Sequence, residues 1–194
     1  MHDVYSYLES AHADPHPLLL ELEQLGRKED VHAVPRAVGR LLSTLVHGMQ
    51  ANRILEIGTA YGYATLWMAL AQPPVGKIWT FDPDMERTEI ALSYFQRANE
   101  DDNIEIVNQP ALEVLPVFPQ RNMDIVFVDA PKNEYSDYLE HCVPLLKLSG
   151  FMIFNNLLAS EATRGFNREF LHHPDLDATI VPVGGGVGIG ARKR

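Results

Sequence analysis

A chain of 194 residues with 16 Lys and Arg against 26 Asp and Glu carries a net charge of −10, with 46% hydrophobic and 22% charged residues. That apolar content excludes an intrinsically disordered chain, and the acidic balance argues against non-specific nucleic-acid binding as the main role. No apolar run reaches the roughly 18 residues of a transmembrane helix, and the lone Cys142 can close no internal disulfide.

Residues 1–16 lack the basic-then-apolar layout of a secretory leader, so a cytoplasmic protein is expected. Residues 1–49 read as mostly helical. Leu18, Leu22 and Leu25 form an apolar face that suits either a partner subunit or the protein's own core. Val38, Leu41, Leu42, Leu45, Val46 and Met49 recur at the spacing of one helix face, which predicts a helix over 38–49. Apolar runs follow at 53–58, 77–82, 104–107, 124–129 and 151–155. Most are continuous rather than alternating, as in strands buried on both faces of a parallel sheet. Helical stripes separate them, with Ile90, Ala91, Tyr94, Phe95 and Ala98 in 84–99, and Tyr135, Tyr138, Leu139, Cys142, Val143 and Leu146 in 133–146. Two further runs, 179–183 and 187–191, have Gly184–Gly186 between them, which predicts a hairpin and an antiparallel last strand. The expectation is an α/β, doubly wound, seven-stranded and mostly parallel sheet with helices on both faces, in one domain. Residues 1–50 would be a helical cap and residues 51–194 the cofactor-binding fold.

Ligands of such sheets bind beyond the C-terminal strand ends. The first apolar run ends in Glu56-Ile57-Gly58-Thr59-Ala60-Tyr61-Gly62-Tyr63, the second in Asp82, the fourth in Asp129 and the fifth in Asn155-Asn156. Asp82, at the end of the second run, is placed to accept hydrogen bonds from both hydroxyls of a ribose, a feature shared by NAD and S-adenosylmethionine sites. The glycine turn separates the two. It lacks the G-x-G pair that brings bare amides to a pyrophosphate, and the Glu56 carboxylate would repel that anion. A ligand carrying an ammonium and a sulfonium suits it, so the spacing favours S-adenosylmethionine over a dinucleotide.

The segments ILEIGTAYGYATLWMA (54–69), IWTFDPDMERTEIALSYFQRA (78–98), PALEVLP (110–116), DIVFVDAPKNEYSDYLEHCVPLLKLSGFMIFNNLL (124–158) and IVPVGGGVGIGARK (180–193) resemble the small S-adenosylmethionine-dependent O-methyltransferases. That group includes the catechol and caffeoyl-CoA enzymes and bacterial relatives, and its fold is the Rossmann-like class I methyltransferase fold. The resemblance covers roughly residues 30–194. It implies that Glu56 and the turn of Gly58, Thr59, Ala60 and Gly62, with Tyr63 and Ala64 behind it, hold the methionine end of the cofactor. It further implies that Asp82 and Pro83 meet the ribose, that Ala111 and Leu112 line the adenine pocket, and that Val34, in VPRAVGRLL (34–42), closes the site. Asp129, Asn155 and Asn156 would be metal ligands for a divalent cation, Mg²⁺ or Ca²⁺, with Asp129 also at the cofactor edge. Lys132 would be the base that takes the acceptor's proton. A small phenolic or catechol-like acceptor and a homodimer are implied too.

Four positions depart from the family. Asn155 stands where an Asp is usual, which lowers the charge of the ligand set; both Asn side chains could instead bond loop backbone. Ala64 replaces a serine, with Thr65 adjacent. The stretch LLASEATRGFNREF after Asn156 lacks the family's tryptophan and glycines, and Gln109 replaces a glycine before Pro110. Cys142 reads as core, and His172-His173, being adjacent, as a solvated helix end rather than ligands. A methyltransferase acting on a hydroxylated tRNA uridine, and a cofactor-binding protein without turnover, are the alternatives.

Overall fold

The computed structural model describes Tyr7 and residues 10–194, so the helical reading of residues 1–6, 8 and 9 lies outside the described residues. Seven strands form one sheet: β1 (Arg53–Ile57), β2 (Lys77–Phe81), β3 (Ile104–Val107), β4 (Met123–Val128), β5 (Leu146–Phe154), β6 (Leu176–Val181) and β7 (Val187–Arg192). Their order is β3-β2-β1-β4-β5-β7-β6. The β1–β2, β1–β4, β2–β3 and β4–β5 pairings are parallel, whereas β7 runs antiparallel to both β5 and β6. The order reverses between β1 and β4, which makes the crevice beyond Ile57 and Val128 the place for a ligand.

The continuous apolar runs are the central strands. All of Met123–Val128 is buried, and β1 and β2 are buried at every position but the first. Helices α1 (Pro17–Lys28), α2 (Arg36–Met49), α3 (Tyr63–Ala69) and α4 (Met85–Ala98) cover one face. There Leu18, Leu22, Val38, Leu42 and Val46 pack with Ile54, Leu66 and Phe95. The N-terminal leucine face is therefore spent largely on the protein's own core, with Leu25 half-buried. Helices α5 (Ala111–Val114), α6 (Tyr135–Cys142) and α7 (Arg164–Leu171) cover the other face, where Cys142 is fully buried.

Two boundaries move. The expected helix over 133–146 stops at Cys142, and Leu146 already starts β5. Pro144 has no N–H to bond the previous turn and its ring crowds it, so an α-helix cannot pass through. The hairpin is set back as well: β6 ends at Val181 because Pro182 cannot extend the ladder, and Val181 pairs with Val187 across a loop that holds the three glycines.

Beneath the sheet, away from the crevice, Asp124 is 6% exposed and its Oδ2 accepts the N–H groups of Asn52 and Arg53, each at 2.8 Å. Lys147 pairs with its other oxygen. Replacing Asp124 with Ala would strand two backbone donors at the entry to β1. The expected loss is about 3 kcal/mol, read as a lower midpoint in urea unfolding.

Candidate functional site

A cavity of about 890 Å³ opens over the C-terminal ends of β1, β2 and β4, and Gly58, Ala60, Asp82, Pro83, Ala111, Leu112, Asp129 and Asn156 line it. A narrower recess beside it, of about 30 Å³, is lined by Val34, Gly58, Thr59, Ala60, Tyr63 and Ala64. The two share Gly58, Ala60 and Asp129, so residues as far apart as Val34 and Asn156, 122 positions along the chain, converge on one crevice.

Its floor is built by backbone. The N–H of Asp129 bonds the carbonyl of Ile57 at 2.9 Å and that of Asn155 bonds Val128 at 3.0 Å. Gly58 sits at φ +101°, and a Cβ there would lie 2.2 Å from the carbonyl oxygen of Asp129. Only glycine lets the β1 turn and the β4 end approach so closely. Asp82 braces the same turn: Oδ2 accepts the Ala60 N–H at 2.8 Å, and Oδ1 accepts that of Asp84 at 3.0 Å. The lone pairs that remain are what a ribose would use.

Glu56 is fully buried, and its Oε2 accepts the hydroxyls of Thr65 at 2.5 Å and Thr80 at 2.6 Å. Thr59 extends the chain, its hydroxyl 2.6 Å from that of Thr80. The Oε1 atom is buried without a hydrogen-bond partner. Burial pushes the carboxyl up to about 8; the two threonine hydroxyls oppose this, while the charges of Asp129 and Asp82 add to it. Glu56 thus lies under the crevice rather than in its lining. A cation placed beside it would relieve a carboxylate that burial and two neighbouring acids disfavour. Thr65 is spoken for by Glu56 and so does not stand in for the hydroxyl missing at Ala64. Gln109, the other departure near the cavity, is exposed and leaves the lining to Pro110, Ala111 and Leu112.

Tyr63 is tied to the covering helices. Its hydroxyl donates to Glu23 Oε1 at 2.6 Å, and Arg36 holds Glu23 through Nε at 3.0 Å and Nη2 at 2.7 Å. Despite the cost of burial, the bonds from Arg36 and Tyr63 bring the Glu23 carboxyl below its ordinary range. Segment 31–35, between α1 and α2, thereby lies over the crevice, and Val34 is buried in it.

Lys132 sits behind Asp129. Its ammonium is 3.5 Å from Asp129 Oδ1, 3.2 Å from the Ala130 carbonyl and 2.5 Å from the Tyr135 hydroxyl, which in turn donates to the Asn155 carbonyl at 3.1 Å. Burial moves its pKa down, against the pull of Asp129. Asn155 is 1% exposed, and neither its Oδ1 nor its Nδ2 has a hydrogen-bond partner, so it does not serve to bond loop backbone. Asn156 adopts φ +61°, and its Oδ1 would lie 2.3 Å from a Cβ at Gly185. Among the described residues no three His, Cys, Asp or Glu side chains group as a metal site. The set offered to a cation is one carboxylate and two amides, and the orphaned Asn155 amide gives it an unengaged oxygen of the kind a hard divalent ion takes. By that measure the residues fit.

The stretch after Asn156 is anchored by the glycine loop, for Leu157 and Leu158 donate to the carbonyls of Gly186 and Gly185 at 2.9 and 2.7 Å. Several lining residues escaped the sequence reading: His32 and Ala33 of the covering segment, Arg87, and the pair Glu134 and Tyr138. The four-residue step from Glu134 to Tyr138 is the one visible signal, and in the sequence Tyr138 falls in an apolar stripe.

This crevice, with an acid at the end of β2 and a glycine turn over a buried glutamate, defines a nucleoside-cofactor site of the class I methyltransferase type. Residues 9–193 match the family described as O-methyltransferase, and the chain belongs to that family. It is 31% identical to the catechol O-methyltransferase of Mycobacterium tuberculosis over 161 residues, 77% of this chain and 73% of that one. It is 35% identical to the caffeoyl-CoA O-methyltransferase of Populus kitakamiensis over 162 residues, 79% of this chain and 69% of that one. Among solved structures, the O-methyltransferase TomG of Streptomyces achromogenes, in complex with S-adenosylmethionine, superposes with a TM-score of 0.87 at 28% identity, covering 99% of this chain and 96% of that one.

Proposed function

We propose that the protein binds S-adenosylmethionine across this crevice and transfers its methyl group to a hydroxyl of a small acceptor, of phenolic or catechol-like type. The observation that carries the reading is the convergence of Asp82, the Gly58 turn and Asp129 on one cavity above the β1–β4 reversal. In this reading Asp82 and Pro83 meet the ribose, Ala111 and Leu112 the base, and Glu56 faces the ammonium from below. Thr59, Gly62, Tyr63 and Ala64 shape the methionine end, with Val34 over it.

Methyl transfer is an in-line displacement on a sulfonium, so the protein's part is to hold an oxygen about 3 Å from the methyl carbon and exclude water. Val34 and its covering segment supply the roof. Lys132, its pKa lowered by burial, takes the acceptor's proton. A divalent cation, Mg²⁺ or Ca²⁺, would be held by Asp129, Asn155 and Asn156. It would supply Lewis-acid lowering of the hydroxyl pKa. The organisation that goes with this reading is one cytoplasmic domain, residues 1–50 serving as cap, working as a homodimer. No helix among the described residues is long and apolar enough to cross a membrane.

Titration calorimetry with S-adenosylhomocysteine tests the reading. Wild type is expected to bind, and Asp82→Ala to bind about 100-fold more weakly through loss of two charge-assisted ribose hydrogen bonds. Absence of binding, or equal binding by the variant, would overturn it. A methyl-transfer screen over catechols and phenols, run with and without Mg²⁺ or Ca²⁺, then reads the acceptor and the metal.

A further inference from the structure

Three lining acids, Asp84, Glu113 and Glu134, have no role in the reading above. Glu134 ends the short turn 132–134 after β4, and Tyr138 stands one turn further on in α6. The Tyr138 hydroxyl donates to Glu134 Oε2. Burial, then the hydrogen bond to Glu134 and the charge it carries, raise the phenol well above its ordinary range, so Tyr138 stays protonated and the bond keeps this direction. No described residue hydrogen-bonds Glu134 Oε1.

Three of the other acids around the cavity are engaged. Asp82 holds two backbone N–H groups, Asp84 pairs with Arg87 at 3.0 Å, and Asp129 faces Lys132. Glu113 is exposed on α5. The place of Glu134 follows from packing: α6 touches the 115–117 turn that continues α5, and Tyr138 shares one apolar cluster with Ala111, Leu115 and Phe118. Glu134 lines the same cavity as Ala111 and Leu112, whereas Val34, Thr59, Tyr63 and Ala64 line the recess beside it and not this cavity. The neighbouring wall, of Phe81, Ala111, Leu112, Ala130 and Pro131, offers apolar surface to a ring but no side-chain acceptor.

We propose that Glu134, aimed by Tyr138, accepts a hydrogen bond from the exocyclic amine of the cofactor's adenine and makes the site select a 6-aminopurine over a 6-oxopurine. The proposal rests on the S-adenosylmethionine reading. The amine presents N–H donors to Oε1, whereas a 6-oxo group would set carbonyl lone pairs against a carboxylate and leave both acceptors unpaired.

The test is calorimetric binding of S-adenosylhomocysteine and of S-inosylhomocysteine, its 6-oxo counterpart, to wild type and to three variants. Wild type is expected to prefer the 6-amino ligand at least about 30-fold. In Glu134→Gln the side-chain amide can donate to a 6-oxo group, so the preference should fall to within about threefold. Tyr138→Phe, which frees the carboxylate, should give an intermediate preference, and Glu113→Gln the wild-type one. A wild-type preference retained in Glu134→Gln, or an equal loss of both ligands there, would overturn the assignment, as would the change appearing in Glu113→Gln instead. Each of these leaves the cofactor reading standing. Failure of wild type to bind either ligand removes the cofactor reading and this assignment with it.

Discussion

Glu56→Gln is expected to abolish a loss of stability that the ligand-free wild type suffers as the pH rises. The folded Glu56 carboxyl, at about 8, lies above its ordinary value of 4.5. The folded state therefore holds a proton that the unfolded chain gives up, and the stability this contributes is present below pH 4.5 and lost as pH rises towards and through 8. By pH 8 the loss from this one group amounts to about 4 kcal/mol. The amide carries no charge to bury, so the variant should lack that slope. At pH 5 it should be the less stable protein by about 1–3 kcal/mol, because its N–H₂ group would bury two unpaired donors at the place of Oε1, where the protonated carboxyl buries one. The two stabilities should therefore cross between pH 5 and pH 8, as urea midpoints measured across that range would record. Parallel curves would show that Glu56 is ionised when folded. The same shift predicts that an ammonium-bearing ligand, bound near pH 7, displaces a proton from the protein. Calorimetric enthalpies in buffers of different ionisation enthalpy would reveal it.

Gly58→Ala should do more harm than its single methyl suggests. The added carbon would stand 2.2 Å from the Asp129 carbonyl at a backbone φ of +101°, which an L side chain rarely adopts. Relief requires the β1 turn to withdraw from the end of β4, and that separation opens the floor of the cavity. The expected cost is on the order of 3–5 kcal/mol, with S-adenosylhomocysteine binding lost alongside. Gly48→Ala is the matched control: a Cβ there meets nothing within 4 Å, and the site is an exposed position in α2. It should raise stability by about 0.5–1 kcal/mol through helix propensity. If both variants behave alike, the close approach at Gly58 does not matter to the fold.

The sheet was legible because buried parallel strands write themselves as unbroken apolar runs. Ile125–Val128 is such a run, Ile54–Ile57 is one but for Glu56, and both became central strands. The edges were less legible. The burial of β6 alternates irregularly, as expected of a strand paired on one side only, and its bounds shifted by up to three residues. The candidate site was legible where it hangs on strand ends, since the period of a strand fixes where the chain leaves the sheet. Asp82, Asp129 and the Gly58 turn belong to that group. Residues that arrive from helices and from the covering segment were harder, because a helical tyrosine such as Tyr138 reads as core whether or not its hydroxyl reaches a cavity.

Residue order alone thus determined the α/β alternation, the strand ends and the acids standing at them, because these follow from local periodicity and from where apolar runs stop. Only the tertiary structure decided the electrostatics. Glu56 is a carboxylate like Asp82 in the sequence, yet one is sealed beneath the turn with an orphaned oxygen and the other stands in the cavity wall bound by backbone N–H groups. Thr65 was a neighbour of the missing serine in sequence, and packing committed it to Glu56 instead. Asn155 could have bonded its loop, and in the fold its amide is left without a partner. Charge, hydrogen-bond partners and solvent access are properties of what surrounds a side chain, and those surroundings come from segments far apart in the chain.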